Sequence, residues 1–448
     1  MIYPLVDEGL GNSSYLVDIG DGRALIVDPT RDPNQYLDSA SHRGLRVAFS
    51  AETHLHADFV SGGRELAAQG AVVVASAGGN LAFPHQALHD GEEIDLGGLA
   101  LRAISTAGHT LEHVSYLLLE GPQPLALFTG GSLLVGSVAR TDLVDPARTE
   151  ELARTAYRSI QERILTLPDD LPVYPTHGGG SFCSAAAGSE RTTTIGRERA
   201  ANPLLAAPDE DAFVARLLGS LGTYPTYFGR LPEVNRRGPR VFGATPPLTQ
   251  RPASDVHDLA AAGAAVVDVR PIADFAAGHI SGALSIALRP AFGTWLGWLV
   301  EPEQPLVFVL GKGQDRGDVV RQALKVGYED IRGELTGGMA AWRAEGRPEK
   351  RLNLATAADI TVQPVIDVRQ RSEFDAGHIP EAQNVELGVM ATASEIPAGP
   401  VTVHCGHGER AMTAASILQR GGRDEVTVLT DGPDQWSAAT GIPLTVSG

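Results

Sequence analysis

Cysteine is scarce in this chain of 448 residues, in which Cys183 and Cys405 are the only thiols. Two cysteines cannot build a disulfide framework, and free thiols persist in a reducing compartment, so we expect a cytoplasmic protein. Two thiols in so long a chain also suggest that each has a chemical role.

The chain also has few basic residues, 36 compared with 54 acidic ones, so its net charge is −18. Phosphate backbones and anionic lipid surfaces repel such a chain, which argues against nucleic acid and membranes as partners. No apolar run approaches the roughly 20 residues needed to span a bilayer. The N-terminus lacks a basic stretch followed by an apolar one, so no signal peptide is expected.

The remaining composition, with 43% hydrophobic and 20% charged residues, is that of an ordinary globular protein. The length predicts about three domains. Residues 1–205 mix short apolar strands with helical patterns, which predicts one α/β domain. Residues 206–253 are rich in proline, glycine and polar residues and predict a connecting segment with a helix near Asp209–Leu221.

An internal repeat divides the rest of the chain into domains at 254–350 and 351–448. The segments Val266-Val-Asp-Val-Arg270 and Asp274-Phe-Ala-Ala-Gly-His-Ile280 reappear as Val365-Ile-Asp-Val-Arg369 and Glu373-Phe-Asp-Ala-Gly-His-Ile379. Each copy runs strand, helix, strand, helix. That order predicts a doubly wound parallel sheet covered on both faces.

The loop after one strand of the second copy has the features of a reactive-cysteine site. Cys405 ends an apolar strand and is followed by Gly406-His-Gly-Glu-Arg410 and a predicted helix. Backbone N–H groups and a helix N-terminus stabilise a thiolate and lower its pKa, and Arg410 adds positive charge. A pocket of this kind can hold a persulfide, whereas a buried structural cysteine rarely precedes such a loop.

The Asp-Val-Arg, Gly-His-Ile and Cys-x-x-x-x-Arg pattern resembles that of rhodanese domains. The resemblance implies that Cys405 is the persulfide-forming nucleophile, that Arg410 closes its cradle, and that Asp367 and Arg369 brace the sheet and loop. The first copy has Leu310 or Gly311 where the cysteine should stand. We therefore expect domain 254–350 to be an inactive rhodanese-like scaffold.

Histidines in the first domain show metal-ligand spacing. His54, His56 and Asp58 lie together in one segment, and His109 and His177 each follow a short apolar run. This order of histidines resembles the metallo-β-lactamase fold, which implies an αββα sandwich for the first domain.

Further segments resemble persulfide dioxygenases, namely Thr129-Gly130, Ala139-Arg-Thr-Asp142 and Tyr174-Pro-Thr-His177. Gly178-Gly-Gly-Ser-Phe-Cys183 and Asn202-Pro-Leu-Leu205 are also similar to bacterial members that are fused to rhodanese domains. In that family iron is held at the positions of His54, His109 and an aspartate that is here Gly131. A further histidine of the family is here Phe59. Glycine cannot bind metal, so the two-histidine, one-carboxylate face typical of non-haem iron is broken.

The side chains that remain match the three-histidine half of a dinuclear hydrolase site. His54, His56 and His109 are candidates to hold one metal ion, iron or zinc, while Asp58 and His177 remain as weak or supporting ligands. An empty site is the alternative. Cys183 lies in a glycine-rich loop after His177 and is either a thiol relay or a small buried hydrophobe.

The resemblance implies a protein of sulfane-sulfur and hydrogen sulfide metabolism, with Cys405 passing sulfur from a donor to an acceptor. The expected partners are a small-molecule persulfide, thiosulfate, or a thiol such as glutathione or coenzyme A, and a homo-oligomer is left open. Two other interpretations also stay open. One is a mononuclear zinc thioester hydrolase similar to glyoxalase II with an attached sulfurtransferase, and the other is a non-catalytic sulfur-carrier domain.

Overall fold

The computed structural model describes residues 1–184, 190–359, 364–394 and 396–447. The chain forms two compact units, one of Met1–Thr245 with Leu324–Gly327 and the other of Pro246–Ala323 with Tyr328–Gly448. The first unit therefore takes in most of the segment that the sequence predicts to be a connector.

Within the described residues, the first unit contains two six-stranded sheets, each formed by strands that are consecutive in the chain. The strands of the first sheet are β1 (Ile2–Asp7), β2 (Asn12–Gly20), β3 (Arg23–Val27), β4 (Arg46–Glu52), β5 (Val72–Ser76) and β6 (Gln86–Leu88). The strands of the second sheet are β7 (Glu93–Asp95), β8 (Ala100–Ser105), β9 (Val114–Glu120), β10 (Gln123–Gly130), β11 (Pro172–Pro175) and β12 (Thr193–Thr194). Antiparallel hairpins begin both sheets, and β3 to β6 are parallel.

The helices of the first unit are α1 (Asn34–Ser41), α2 (Gly63–Ala68), α3 (Thr149–Ser159), α4 (Ile195–Ala201), α5 (Glu210–Gly219) and α6 (Leu231–Arg237). The helix predicted near Asp209–Leu221 is α5, whose N-terminus is capped by the Asp209 side chain accepting from the Ala212 N–H. Its Phe213 and Leu217 are buried with α3 against the second sheet, so this helix belongs to the core.

The first unit has four layers, with helices outside and the two sheets inside. Alternate side chains along the central strands face the space between the sheets or a layer of helices. Leu25 and Val27 of β3 pack between the two sheets, while Ala24 and Ile26 face the layer of α1 and α2. Residues of β9 alternate in the same way between the inner core and the layer of α3, α4 and α5. Side chains two residues apart share a face of a strand, so each sheet buries both faces. The predicted αββα sandwich is confirmed.

The second unit contains two five-stranded sheets, in which every described pairing is parallel. One has the order β13-β18-β17-β14-β16 and consists of β13 (Gln250–Arg251), β14 (Ala265–Asp268), β16 (Leu284–Ser285), β17 (Leu306–Val309) and β18 (Ile331–Leu335). The other has the order β20-β24-β23-β21-β22 and consists of β20 (Asn353–Ala355), β21 (Val365–Asp367), β22 (Gln383–Asn384), β23 (Val401–His404) and β24 (Val426–Leu429). A short antiparallel pair, β15 (His279–Ile280) and β19 (Glu349–Lys350), accompanies them.

The helices of this unit are α7 (Ala253–Ala261), α8 (Ile272–Ala277), α9 (Phe292–Leu299), α10 (Arg316–Lys325), α11 (Gly338–Ala344), α12 (Arg371–Ala376), α13 (Glu409–Arg420) and α14 (Pro433–Thr440). The two sheets repeat the same strand order, which confirms the tandem doubly wound folds predicted from the repeat. In the described part of the chain, none of the helices has both the length and the apolar character that crossing a bilayer requires.

Candidate metal centre and cysteine loop

Buried histidines from separate loops meet at one end of the sandwich in the first unit. His54 and His56 follow β4, His109 follows β8, and His177 follows β11. The ring centroid of His54 lies 4.1 Å from that of His56, 4.9 Å from that of His109 and 5.3 Å from that of His177. The histidines singled out from the sequence are therefore neighbours in the fold. Their roles as ligands remain predictions.

The hydrogen bonds of three of these histidines assign their tautomers. The Nδ1–H of His109 donates to the backbone oxygen of Arg140 at 2.7 Å, and that of His177 donates to Asn12 Oδ1 at 3.1 Å. The His54 Nδ1–H donates to Thr53 Oγ1 at 2.9 Å, because the threonine hydroxyl is itself donated to a carboxylate. Each ring therefore has a free lone pair on Nε2, the arrangement usual for metal-bound histidine.

A fifth histidine, His113, also lies in this cluster but was not identified from the sequence. Its ring stacks 5.0 Å from that of His54. Its Nε2 accepts a hydrogen bond from the Gly131 N–H at 2.9 Å, and its Nδ1–H donates to Thr106 Oγ1 at 2.9 Å. Both nitrogens are used, so His113 supports the loops around the site. Its position four residues after His109 was the available signal.

His56 faces a pair of carboxylates. Its Nε2 lies 3.2 Å from Asp28 Oδ1 and 3.5 Å from Glu52 Oε2, and its ring stacks on Phe59 with centroids 4.2 Å apart. Burial alone would lower the pKa of His56, but the two carboxylates raise it to about 10. In the absence of metal, His56 is thus an imidazolium whose charge offsets two buried acids. Its ligand atom still lies within 4.8 Å of those of His54 and His177.

Cys183 lies beside the histidines, and its ligand atom is within 4.8 Å of those of His109 and His177. The side chain is fully buried. Burial and the neighbouring Asp58 carboxylate raise the pKa of its thiol well above the usual value, so the metal-free form is a neutral thiol. Asp58 itself accepts from Asn12 Nδ2 at 2.6 Å through one oxygen, while its other oxygen has no hydrogen-bond partner among the described residues.

Gly131 allows His109 to approach the backbone closely. A β-carbon added at Gly131 would lie 2.6 Å from His109 Cδ2 and 3.1 Å from Ala139 Cβ. The histidine ring therefore occupies the space that a side chain at position 131 would need. A carboxylate could be placed there only if His109 moved.

A small pocket opens next to this cluster and reaches His54 and His56. Its lining combines apolar side chains with two glutamates. The other residues that line it are Glu52, Leu55, Ser61, Ala75, Ser76, Gly79, Leu81, Phe83, Glu112 and Asn235.

The cysteine loop of the second unit lies between β23 and α13. Cys405 is 1% exposed, and its Sγ accepts a hydrogen bond from the Gly408 N–H at 3.2 Å. Gly408 has a φ of +87°, which favours glycine, and a β-carbon there would lie 2.9 Å from Ile272 Cδ1. Both features allow the loop to curl around the sulfur at the start of α13. The thiol therefore lies beside one backbone donor and the start of a helix, and its catalytic role remains a prediction.

Two arginines interact electrostatically with this sulfur. Arg410 forms a bidentate pair with Glu373, with nitrogen–oxygen distances of 2.6 and 2.8 Å, so its hydrogen bonds go to that carboxylate. Arg289, from the other sheet domain of the same unit, interacts electrostatically with Cys405, Arg410 and Glu409. Its guanidinium is half-buried and has no hydrogen bond or ion pair among the described residues. Arg289 was not identified from the sequence, which gave no signal linking the two copies.

The Asp-Val-Arg motif makes the same contacts in both copies. Arg369 pairs with Asp367 through Nε and Nη2, and its Nη2 also donates to the Gly377 carbonyl oxygen at 2.7 Å. Arg270 makes the equivalent bonds in the first copy. The motif thus connects a strand end to the loop after the next helix, and a supporting role for it remains a prediction.

The first copy has no sulfur at the corresponding position. Cys405 directly follows β23, and Leu310 directly follows the matching strand β17. Of the two alternatives left by the sequence, Leu310 is therefore the structural equivalent. The Gln314 side chain fills this loop, accepting from the Gly311 N–H and donating to the Val269 oxygen. A leucine and an amide cannot perform sulfur transfer.

The two units thus define a metallo-β-lactamase-fold protein joined to tandem rhodanese folds, and known proteins share both parts. The rhodanese-like domain family matches residues 252–345 and 351–439. Human mitochondrial persulfide dioxygenase ETHE1 is 30% identical over 213 residues, covering 46% of this chain and 76% of the relative. The chain belongs to the persulfide dioxygenase family.

Other similarities extend this result. Hydroxyacylglutathione hydrolase of Methylococcus capsulatus is 34% identical over 170 residues, covering 37% of this chain and 62% of the relative. A crystal structure titled as a metallo-beta-lactamase from Staphylococcus aureus superimposes with a TM-score of 0.65 at 28% identity, covering 75% of this chain and 98% of that one. The resemblance to persulfide dioxygenase–rhodanese fusions stated from the sequence is confirmed.

Proposed function

We propose that this protein transfers sulfane sulfur through a persulfide on Cys405, as part of persulfide and hydrogen sulfide metabolism in the cytoplasm. The observation that carries the proposal is the Cys405 sulfur, which faces the Gly408 N–H at the start of α13. Such donors stabilise negative sulfur. The first copy has Leu310 at the position equivalent to Cys405, so sulfur transfer falls to the second copy.

The chemistry is a pair of displacements at sulfur. The Cys405 thiolate attacks the outer sulfur of thiosulfate, a new sulfur–sulfur bond forms, and sulfite leaves with the electron pair of the bond that breaks. An acceptor thiolate, such as that of glutathione or coenzyme A, then attacks the outer sulfur of the Cys405 persulfide. Cys405 leaves as thiolate and is ready for another cycle. Arg410 and Arg289 supply positive charge for the anionic donor.

For the first unit, we infer metal-dependent chemistry on small persulfides. Buried Nε2 lone pairs, a thiol and the unpaired Asp58 oxygen are groups that fit a divalent transition-metal ion. Such an ion, iron or zinc, would supply activation of a bound sulfur compound, oxygen or water. The residues of the chain orient the donors: the Arg140 carbonyl fixes His109, and Asn12 fixes His177.

Thioester hydrolysis is the second candidate for the first unit. It is favoured by the similarity to hydroxyacylglutathione hydrolase and by Gly131, which provides no carboxylate for iron. Metal analysis, oxygen consumption with glutathione persulfide and hydrolysis of a glutathione thioester distinguish the two. Bound iron with oxygen consumption supports dioxygenation, and bound zinc with thioester hydrolysis supports the alternative. If the protein shows neither metal and neither activity, the result supports a non-catalytic sulfur-carrier domain.

The sulfur-transfer proposal is tested by incubating the full chain with thiosulfate and measuring the intact mass. We expect one added sulfur atom, mapped to the peptide that contains Cys405, and its loss in Cys405→Ser. Cys183→Ser and Leu310→Ala are the matched controls and should keep the adduct. Sulfur transfer to cyanide at an unchanged rate in Cys405→Ser would refute the proposal.

A further inference from the structure

Two histidine nitrogens in the first unit face each other, and neither carries a proton that could form a hydrogen bond between them. The Nε2 atoms of His54 and His177 are 3.3 Å apart. In both rings the proton is on Nδ1, where it is donated to Thr53 Oγ1 and to Asn12 Oδ1. Two lone pairs at this distance repel each other unless a cation lies between them. Nitrogens bound to one tetrahedral metal at ~2.0–2.1 Å are separated by about 3.3 Å.

A second observation points to the same place. His109 is 2% exposed, and its Nε2 has no hydrogen-bond partner among the described residues. The same ring is held rigidly through its Nδ1 bond to the Arg140 carbonyl. An orphaned buried nitrogen costs free energy, which a bound cation would recover. The ligand atoms of His109, His177 and Cys183 lie within 4.8 Å of one another.

We propose that a divalent transition-metal ion binds at His177, with Nε2 of His109 and the thiolate of Cys183 as its other ligands, and that Nε2 of His54, 3.3 Å from that of His177, faces the same ion. Thiolate ligation by Cys183 thus takes the place of the carboxylate absent at Gly131. His56 remains paired with Asp28 and Glu52 and is not a ligand. The Cys183 proton is released to solvent on binding, since thiolate is the form that binds metal.

This proposal assigns Cys183 a role other than sulfur relay. A metal-bound thiolate is not available to carry a persulfide while the ion is in place. The proposal is independent of sulfur transfer at Cys405, so either one can fail while the other stands. Imidazole nitrogens together with a thiolate sulfur suit zinc, cobalt and ferrous iron.

The first test uses Co²⁺ as the probe in the purified full-length protein. We expect one equivalent of Co²⁺ and a near-ultraviolet sulfur-to-cobalt charge-transfer band. The band should be retained in Cys405→Ser and lost in Cys183→Ser, with metal affinity lowered at least ~10-fold. A charge-transfer band that survives in Cys183→Ser would overturn the proposal, as would a protein that binds no Co²⁺.

Because Cys183 is buried, its replacement could impair folding, so the second test leaves it unchanged. Zinc-loaded Cys405→Ser protein, in which Cys183 is the only sulfur from cysteine, is examined by X-ray absorption spectroscopy. We expect one sulfur at ~2.3 Å and nitrogens at ~2.0–2.1 Å from zinc. A zinc environment of nitrogen and oxygen alone would refute thiolate ligation.

Discussion

Replacement of Gly131 by alanine tests whether His109 is held against the backbone at this position. The added β-carbon would lie 2.6 Å from Cδ2 and 3.0 Å from Cγ of the His109 ring. The ring cannot yield freely, because its Nδ1–H is bonded to the Arg140 carbonyl at 2.7 Å. The 3.1 Å approach to Ala139 Cβ closes another direction of relief. Either the hydrogen bond breaks or the loop after β10 moves.

The Gly131→Ala replacement should lower the free energy of unfolding because it overpacks a buried site. An added methyl group in a filled core costs ~1–3 kcal/mol. For a domain of 150–250 residues, each kcal/mol lowers the melting temperature by ~2–4 °C. We therefore expect the first unit of Gly131→Ala to unfold about 2–12 °C below that of the unmodified protein.

Differential scanning calorimetry on the metal-free full chain measures this change, and tryptophan fluorescence provides an internal reference. The four tryptophans are Trp295, Trp298, Trp342 and Trp436, all in the second unit. Fluorescence should thus report an unchanged second unit while the calorimetric transition of the first unit shifts. Gly219→Ala is the control, because Gly219 is exposed and has no heavy atom near its β-position. Equal stability of Gly131→Ala and the unmodified protein would refute the close approach.

Two further predictions concern the second unit. Arg289→Ala should raise the KM for thiosulfate roughly ten- to hundredfold, since a hydrogen bond to a charged group contributes ~1.5–3 kcal/mol. Steady-state kinetics check this, Arg289→Lys should recover part of the effect, and a change in kcat alone would contradict it. Burial alone would raise the pKa of Glu373, but its bonds to Arg410 lower it below 4.5. The pair's stabilisation is therefore present above pH 4.5 and lost as pH falls through the lower folded pKa. Urea unfolding followed by tryptophan fluorescence should show this acid loss in the unmodified protein and a smaller one in Glu373→Gln, and equal losses would count against the pair.

Much of the architecture could be predicted from the sequence because its determinants are local. Apolar strands alternating with helical patterns, repeated in two copies, were enough to predict tandem parallel sheets. The Cys405 loop was also predictable, since a strand end, two glycines and a helix start lie within six residues. The histidines could be assigned to one site only through their order along the chain and its resemblance to a known fold.

The partners of these residues were decided by tertiary structure. Arg410 pairs with Glu373, which is 37 residues away in the chain, and no local pattern predicts which acid an arginine will contact. Arg289, which lies in the other copy, interacts electrostatically with Cys405. The sequence placed positive charge near Cys405, but only the fold shows how that charge is divided between two arginines.

At the candidate metal centre, too, the sequence identified the residues and the tertiary structure decided their contacts. Its histidines and Cys183 could be named from the sequence, but which nitrogens are free depends on contacts with Arg140, Asn12 and Thr53, which lie on different loops. The sequence predicts that Gly131 is only a missing ligand, whereas in the fold its lack of a side chain admits the His109 ring. The sequence determined which donors are present. Packing and hydrogen bonding between distant loops decided where their lone pairs point.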